Sequence, residues 1–346
     1  MSQQGIEADV ILDIRNLSVR YRTRKGVITP VASVNLQVHQ GECLGIAGES
    51  GCGKSTLALA VMRLLPPNAR ITTGSITLKG EDLVPLSEKE YGKRIRGKEL
   101  IMIGQNADDA LDPVFRIRDQ LREILWFHRS DPGKRSHRAA SYDEEIERIL
   151  SGMSIPDISR VLDAYPHQLS GGMKQRILTA MAFFCNPTIL FADEPTTALD
   201  ATVAAQVTEM FKSLMKKQAT SLVYISHDIA LLSELATSVA VMYAGEIIEY
   251  GPTANIIQSP LHPYTRALLN ALPSPSKTRL SSIPGRVPDS ANPLGICQFS
   301  PRCQEKGGWC RGDEGKPRLF EAEPGHWAKC FKLYDGVEGR SQYAAP

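Results

Sequence analysis

One stretch limits what this chain can fold into more than any other: Gly48-Glu49-Ser50-Gly51-Cys52-Gly53-Lys54-Ser55. It spells G-x-x-x-x-G-K-[ST], a phosphate-binding loop. Glycines let the backbone curl so that successive N–H groups face one anion. Lys54 then reaches the outer phosphates of a nucleotide, and the Ser55 hydroxyl reaches Mg²⁺. A helix starting near Lys54 adds its positive end to the same place. The flanks agree. Glu42 to Ala47 is a short apolar run that reads as a buried strand, and Thr56 to Leu64 reads as a helix. Strand, loop and helix in this order call for an α/β fold that binds a nucleoside triphosphate.

Bulk properties add bounds. A chain of 346 residues suits one full domain plus a smaller one. A net charge of +2 gives no long-range pull toward nucleic acid or anionic lipid. The start, MSQQGIEADV, is polar and acidic, so no signal peptide is expected. Ile177 to Phe184 is too short to span a bilayer, so any membrane part is expected to come from partners. Seven cysteines without an export signal argue against a disulfide scaffold.

The chain reads in three parts with a tail. Up to about residue 104 it is strand-rich, with Val10–Ile14 and Leu17–Tyr21 as two opening strands. From 105 to 168, Val114, Ile117, Leu121, Ile124 and Leu125, then Ile146, Ile149 and Leu150, recur at helical spacing. That segment reads as a helical insertion. From 169 to about 250 the pattern is α/β again. After 251 prolines multiply, and the tail reads as loop-rich.

Further residues carry chemistry. Asp193-Glu194 ends an apolar strand. Such an Asp holds Mg²⁺, and the next carboxylate suits a general base for an attacking water. His227, at the end of its own buried strand, is a candidate for the γ-phosphate. Gln105 would be an ordinary polar residue by itself. Leu169-Ser170-Gly171-Gly172-Met173-Lys174-Gln175-Arg176 opens a helix with a serine and two glycines, an anion site at a helix start. Thr197-Ala198-Leu199-Asp200 follows the carboxylates.

Together these motifs resemble the ATP-binding cassette (ABC) ATPases over about residues 8 to 250. The resemblance implies a P-loop nucleotide-binding domain: a RecA-like core, an antiparallel β part and a helical subdomain at 105–168. It implies Tyr21 as the residue stacking on adenine, and Gly48, Ser50, Gly51, Cys52, Gly53, Lys54, Ser55 and Thr56 as the phosphate loop. Gln105 is the implied γ-phosphate sensor and a Mg²⁺ contact, although Asn106 stands where an acidic residue usually follows it. Ser170, Gly171 and Gly172 form the signature that completes the site of an opposing subunit. Asp193 binds Mg²⁺, Glu194 polarises water, Asp200 bridges the dimer and His227 clamps the γ-phosphate.

The tail narrows the resemblance. Leu261-His262-Pro263-Tyr264-Thr265-Arg266-Ala267-Leu268-Leu269, Ile283-Pro284-Gly285 and the later cysteines look like the C-terminal extension of oligopeptide, dipeptide and nickel importer ATPases. The expected domains are 8–255 for the cassette and 256–346 for a loop-rich, metal-binding extension. Met173 and Pro195 to Asp200 resemble the subunit type that pairs with a second, different ATPase. The implied partners are that ATPase, two membrane permease subunits and, indirectly, an external binding protein, with no nucleic acid. The implied location is the cytoplasmic face of the inner membrane. Cargo is expected to be di- or oligopeptides, with nickel or a metal chelate as the alternative. A soluble cassette acting on DNA or ribosomes is disfavoured by the single cassette and the small charge. An ATP-binding regulator without turnover is disfavoured by Glu194 and His227.

Cys297, Cys303, Cys310 and Cys330 are spaced C-x5-C-x6-C-x19-C. Thiolates in a tail poor in core suit a metal centre that staples loops together. Tetrathiolate ligation fits [4Fe–4S] or Zn²⁺, and the resemblance favours the cluster. Free thiols or disulfides stay open as a third reading. His326 is a candidate zinc ligand or a structural histidine. Cys43, Cys52 and Cys185 read as small packing residues.

Overall fold

The computed structural model describes residues 10–24, 26–129, 139–153, 155–197, 199–272, 282–288, 295–311 and 317–333. Ala198 and the last residues of the expected extension lie outside them. In chain order come β1 (Val10–Thr23), β2 (Gly26–His39), β3 (Cys43–Ala47), α1 (Lys54–Val61), β4 (Ala69–Leu78) and β5 (Glu81–Asp82). Next are α2 (Glu88–Arg94), β6 (Leu100–Ile103), α3 (Ile117–Arg129), α4 (Ala139–Ser151) and α5 (Ile158–Asp163). Then follow α6 (Gly171–Cys185), β7 (Ile189–Asp193), α7 (Ala201–Gln218), β8 (Ser221–Ser226), α8 (Ile229–Leu235) and β9 (Ser238–Tyr243). After these come β10 (Glu246–Pro252), α9 (Thr253–Gln258), α10 (Pro263–Asn270), β11 (Phe320–Glu323) and β12 (His326–Ala328). Contacts divide the chain into two compact units, Met1–Leu86 with Val223–Pro346, and Ser87–Leu222.

The first unit holds an antiparallel sheet in the order β2-β1-β4-β5. The two opening strands expected from sequence are one strand, β1, with a register shift between Ile14 and Leu17. Asn16 sits in the shift at φ 48°. Side chains alternate along a strand, so an extra residue is needed to put Ile14 and Leu17 on one face. Leu12, Ile14, Leu17 and Val19 are all buried as a result. A second set of strands runs in the order β11-β12-β10-β9-β3-β8. β3 and β9 pair in parallel from Leu44↔Ser238 to Ala47↔Val241, and every residue of both is buried. That is the pattern of strands covered on both faces.

The tail is more ordered than expected. β12 pairs with β10 at Glu249↔Ala328 and Tyr250↔Trp327, and β11 pairs with β12. These strands have four and three residues, too few for alternation to declare them. Glu249 on β10 is fully buried. Its carboxylate accepts from the backbone N–H of Leu261 at 2.7 Å and of His262 at 2.8 Å, where α10 starts. The Nε2 of His326 lies 2.8 Å from the same carboxylate, so His326 is a buried structural residue.

In the second unit β6 and β7 pair in parallel from Leu100↔Ile189 to Ile103↔Ala192. The helical spacing holds: Ile117, Leu121, Leu125, Ile146 and Leu150 are buried. Val114 departs from it, lying before α3 and 70% exposed. Arg122 holds Asp143 and Arg118 holds Asp163, which ties α3 to α4 and α5. α1 covers Lys54–Val61 and so stops short of the expected Leu64.

Glu249→Ala leaves the half-buried N–H of Leu261, the buried N–H of His262 and an imidazole without their acceptor. It is expected to lower stability by about 3 kcal/mol, read as a reduced denaturation midpoint of the full chain.

Candidate functional site

The phosphate loop belongs to the first unit. It leaves the buried edge of β3 and turns into α1 at Gly53, which has φ 110° and offers α1 no side-chain cap. The first N–H groups of α1 therefore remain for an anion. Two glycines are required by space as well as by φ. A Cβ on Gly53 would stand 2.0 Å from the Pro30 carbonyl oxygen, and one on Gly48 2.2 Å from that of Met242. The loop is thus pressed between the backbones of β2 and β9. Lys54 is 4% exposed, and its ammonium donates to the carbonyls of Gly48 at 2.7 Å and Glu49 at 3.1 Å. Ser55 and Thr56 lie on the first turn of α1, and Ser50 and Gly51 are exposed at the loop's tip. Cys52 is buried, which pushes its thiol up. Tyr21 is half-buried near the end of β1, opposite Ile28 and Ala69. His227 is exposed directly after β8.

The second unit gathers the carboxylates and the loop glutamine. Asp193 ends β7 and is 5% exposed. Glu194 follows it at φ 48°, a left-handed conformation that costs a non-glycine residue about 1 kcal/mol. Two donors hold its Oε2: the Thr197 hydroxyl at 3.0 Å and Gln105 Nε2 at 3.2 Å. The meeting of Gln105 and Glu194 follows from topology. β6 and β7 are neighbouring parallel strands, so the residues after each emerge at the same edge. The sequence placed Thr197 after the carboxylates but did not announce its hold on Glu194. Asn106 makes a local turn, donating to Asp109 at 3.0 Å and accepting from the Asp108 N–H at 3.2 Å. An acidic residue there could not make that donation.

Residues 31–197 match the family described as ABC transporter, and residues 248–310 match the oligopeptide/dipeptide transporter, C-terminal region. The chain is 43% identical to the dipeptide transport ATP-binding protein DppD of Bacillus subtilis, over 86% of this chain and 87% of that one. It is 40% identical to the probable peptide ABC transporter ATP-binding protein y4tR of Sinorhizobium fredii, over 97% and 98%. The oligopeptide transport ATP-binding protein OppD of Escherichia coli is 39% identical over 94% of each chain. This chain belongs to the oligopeptide/dipeptide branch of the ABC transporter ATP-binding proteins. It is an ATP-hydrolysing transport subunit. The dimeric cassette MJ0796 bound to ADP and Pi shares the fold, with a TM-score of 0.62 at 24% identity over 70% of this chain and 99% of that one.

Within this ABC subunit Ser170, Gly172 and Asp200 have local duties. Ser170 caps α6, its hydroxyl accepting from the Met173 N–H at 3.4 Å. Gly171 is exposed, while a Cβ on Gly172 would stand 2.9 Å from Val203 Cγ1 on α7. Asp200 caps α7, accepting from the Val203 N–H at 3.0 Å. Among the described residues no helix is long and apolar enough to cross a membrane.

The four tail cysteines are free thiols. Burial pushes up Cys297, Cys303 and Cys330, the last to about 11. The charges of Cys297, Cys303 and Cys310 add to the shift of Cys330, and those of Cys310 and Cys303 to that of Cys297. The four therefore lie near one another. Among the described residues no group of three or more His, Cys, Asp or Glu is set to hold a metal ion. Cys43 and Cys185 are raised by burial, as packing residues are; Cys185 reaches about 12.

Gly53→Ala is expected to abolish measurable ATP binding, because neither Pro30 nor the required φ leaves room for the methyl group. Equilibrium binding of a fluorescent ATP analogue to the full chain checks this.

Proposed function

We propose that this chain energises a membrane importer of di- or oligopeptides. One observation carries the reading: proteins named for dipeptide and oligopeptide transport are matched along nearly their whole length, extension included. The cassette is taken as 8–255, with its helical subdomain at 105–168, and the extension as 256–346.

The roles follow the family motifs. Tyr21 stacks on adenine, and Gly48 to Thr56 hold the phosphates, with Lys54 supplying charge. Ser55, Gln105 and Asp193 are the proposed Mg²⁺ contacts; the ion would neutralise phosphate charge. Glu194 polarises the attacking water, and His227 meets the γ-phosphate. The grip of Thr197 and Gln105 on one oxygen of Glu194 supports its role, because it fixes where the carboxylate points. Ser170, Gly171 and Gly172 complete the site of an opposing cassette, and Asp200 lies at that contact. ATP then favours the closed pair, and hydrolysis removes the preference. The opposing cassette is proposed to be a second, homologous ATPase.

Val114, Phe115, Trp126 and Phe127 are each more than half exposed, at or before α3. Apolar side chains left in water in this way suit docking of a permease subunit at the cytoplasmic face of the inner membrane.

The tail thiols are proposed to hold a [4Fe–4S] cluster, which would staple the extension. Four cysteine thiols are the donor type that such a cluster takes. Tetrathiolate ligation also suits a single zinc ion, with each sulfur about 2.3 Å from it, and the family resemblance favours the cluster. Ligands of a cluster each bind a different iron and stand further apart.

Glu194→Gln in the assembled transporter is expected to keep ATP binding and lose at least ~100-fold of turnover; normal turnover would remove Glu194 from its role. Cys303→Ser is expected to lower bound iron in anaerobically purified protein. Unchanged iron content would sink the cluster.

A further inference from the structure

We propose that the C-terminal extension is a working part of the nucleotide site: Arg302 and Tyr264 brace the phosphate loop by holding Glu49. Both are positioning residues for ATP binding. The inference rests on Gly48 to Thr56 being the ATP site.

Arg302 is buried, its side chain only 4% exposed. A guanidinium carries five N–H donors in a fixed fork. Here five bonds leave it. Nη1 and Nη2 grip the two oxygens of Glu49 at 2.6 and 3.0 Å. Nε donates to the Pro284 carbonyl at 2.8 Å, Nη2 to that of Ile283 at 3.3 Å, and Nη1 to the Tyr243 hydroxyl at 3.3 Å. A buried cation this fully satisfied has one position, and so has the carboxylate it grips.

Glu49 is held a second time. Its backbone N–H donates to the Tyr264 hydroxyl at 3.0 Å. Tyr264 is itself fixed in a ring cluster, with centroids 4.6 Å from Tyr243 and 5.4 Å from Phe299. The Glu49 carbonyl in turn accepts from Lys54 Nζ at 3.1 Å and from the Cys52 N–H at 3.2 Å. One residue thus joins the extension to the lysine and the curl of the loop. Arg302 is carried on a turn bounded by Cys297 and Cys303, closed by N–H bonds from Ser300 to Cys297 and from Arg302 to Phe299. Order in that turn is therefore order in the phosphate loop.

The test is equilibrium binding of a fluorescent ATP analogue to the full chain carrying Glu49→Ala, Arg302→Ala, both together, Arg302→Lys or Tyr264→Phe. Lys54→Ala is the control. Each alanine variant is expected to weaken binding ~tenfold, with the double variant no weaker than either single one. Arg302→Lys is expected to recover only part of the affinity, because an ammonium cannot form the fork. Tyr264→Phe keeps the ring and loses the acceptor, so it reads the brace even if Arg302→Ala fails to fold; a loss of ~threefold is expected. Unchanged affinity in both Glu49→Ala and Tyr264→Phe, or additive losses in the double variant, overturns the brace. Unchanged affinity in Lys54→Ala overturns instead the ATP site on which it rests.

Discussion

The curl of backbone from Gly48 to Gly53 is the constraint on which the first unit depends. It exists because β3 and β9 run in parallel and bury completely, and the chain must turn sharply where β3 ends. The Pro30 and Met242 carbonyls then close on the turn and leave no room for a side chain at Gly53 or Gly48. What the turn gains is a row of N–H groups at the start of an uncapped helix, with a lysine folded over them. An arrangement of this kind suits a nucleotide's phosphates.

The second unit applies the same logic to a different end. Two parallel strands deliver Gln105 and Glu194 to one edge, and the strained backbone of Glu194 is held by a threonine three residues on. Strain of this kind persists where surrounding bonds determine the geometry. Here those bonds fix the direction of a carboxylate.

The turn from Gly48 to Gly53, the carboxylate pair at the end of β7 and the serine that opens α6 were legible in the sequence because each is a local pattern with a fixed spacing. The continuous apolar runs of β3 and β7 were legible for the same reason. What escaped was set by distant partners. The break in β1 at Asn16 is dictated by the need to keep Ile14 and Leu17 on one face, which two short apolar runs do not reveal. The strands β11 and β12 exist because β10 offers them an edge. Glu249 and His326 lie far apart in sequence, and neither has a pattern around it that announces a buried pair. Arg302 and Glu49 are separated by most of the chain, so only the fold shows that the extension reaches the loop.

The extension thereby acquires two structural tasks in one compact unit. It lengthens a sheet through β11 and β12, and it holds Glu49 through Arg302 and Tyr264. The four thiols sit in the same segment: Cys297 and Cys303 bound the turn that carries Arg302, Cys310 follows it, and Cys330 lies just past β12.

Uptake by a strain lacking the gene shows whether ATP bound at this loop drives peptide transport. Labelled di- and oligopeptides are compared with labelled nickel, with the wild-type gene or Lys54→Ala returned. Loss of peptide uptake alone is expected, restored by the wild type and not by Lys54→Ala. Intact peptide uptake in the deletion strain, or its restoration by Lys54→Ala, would contradict it.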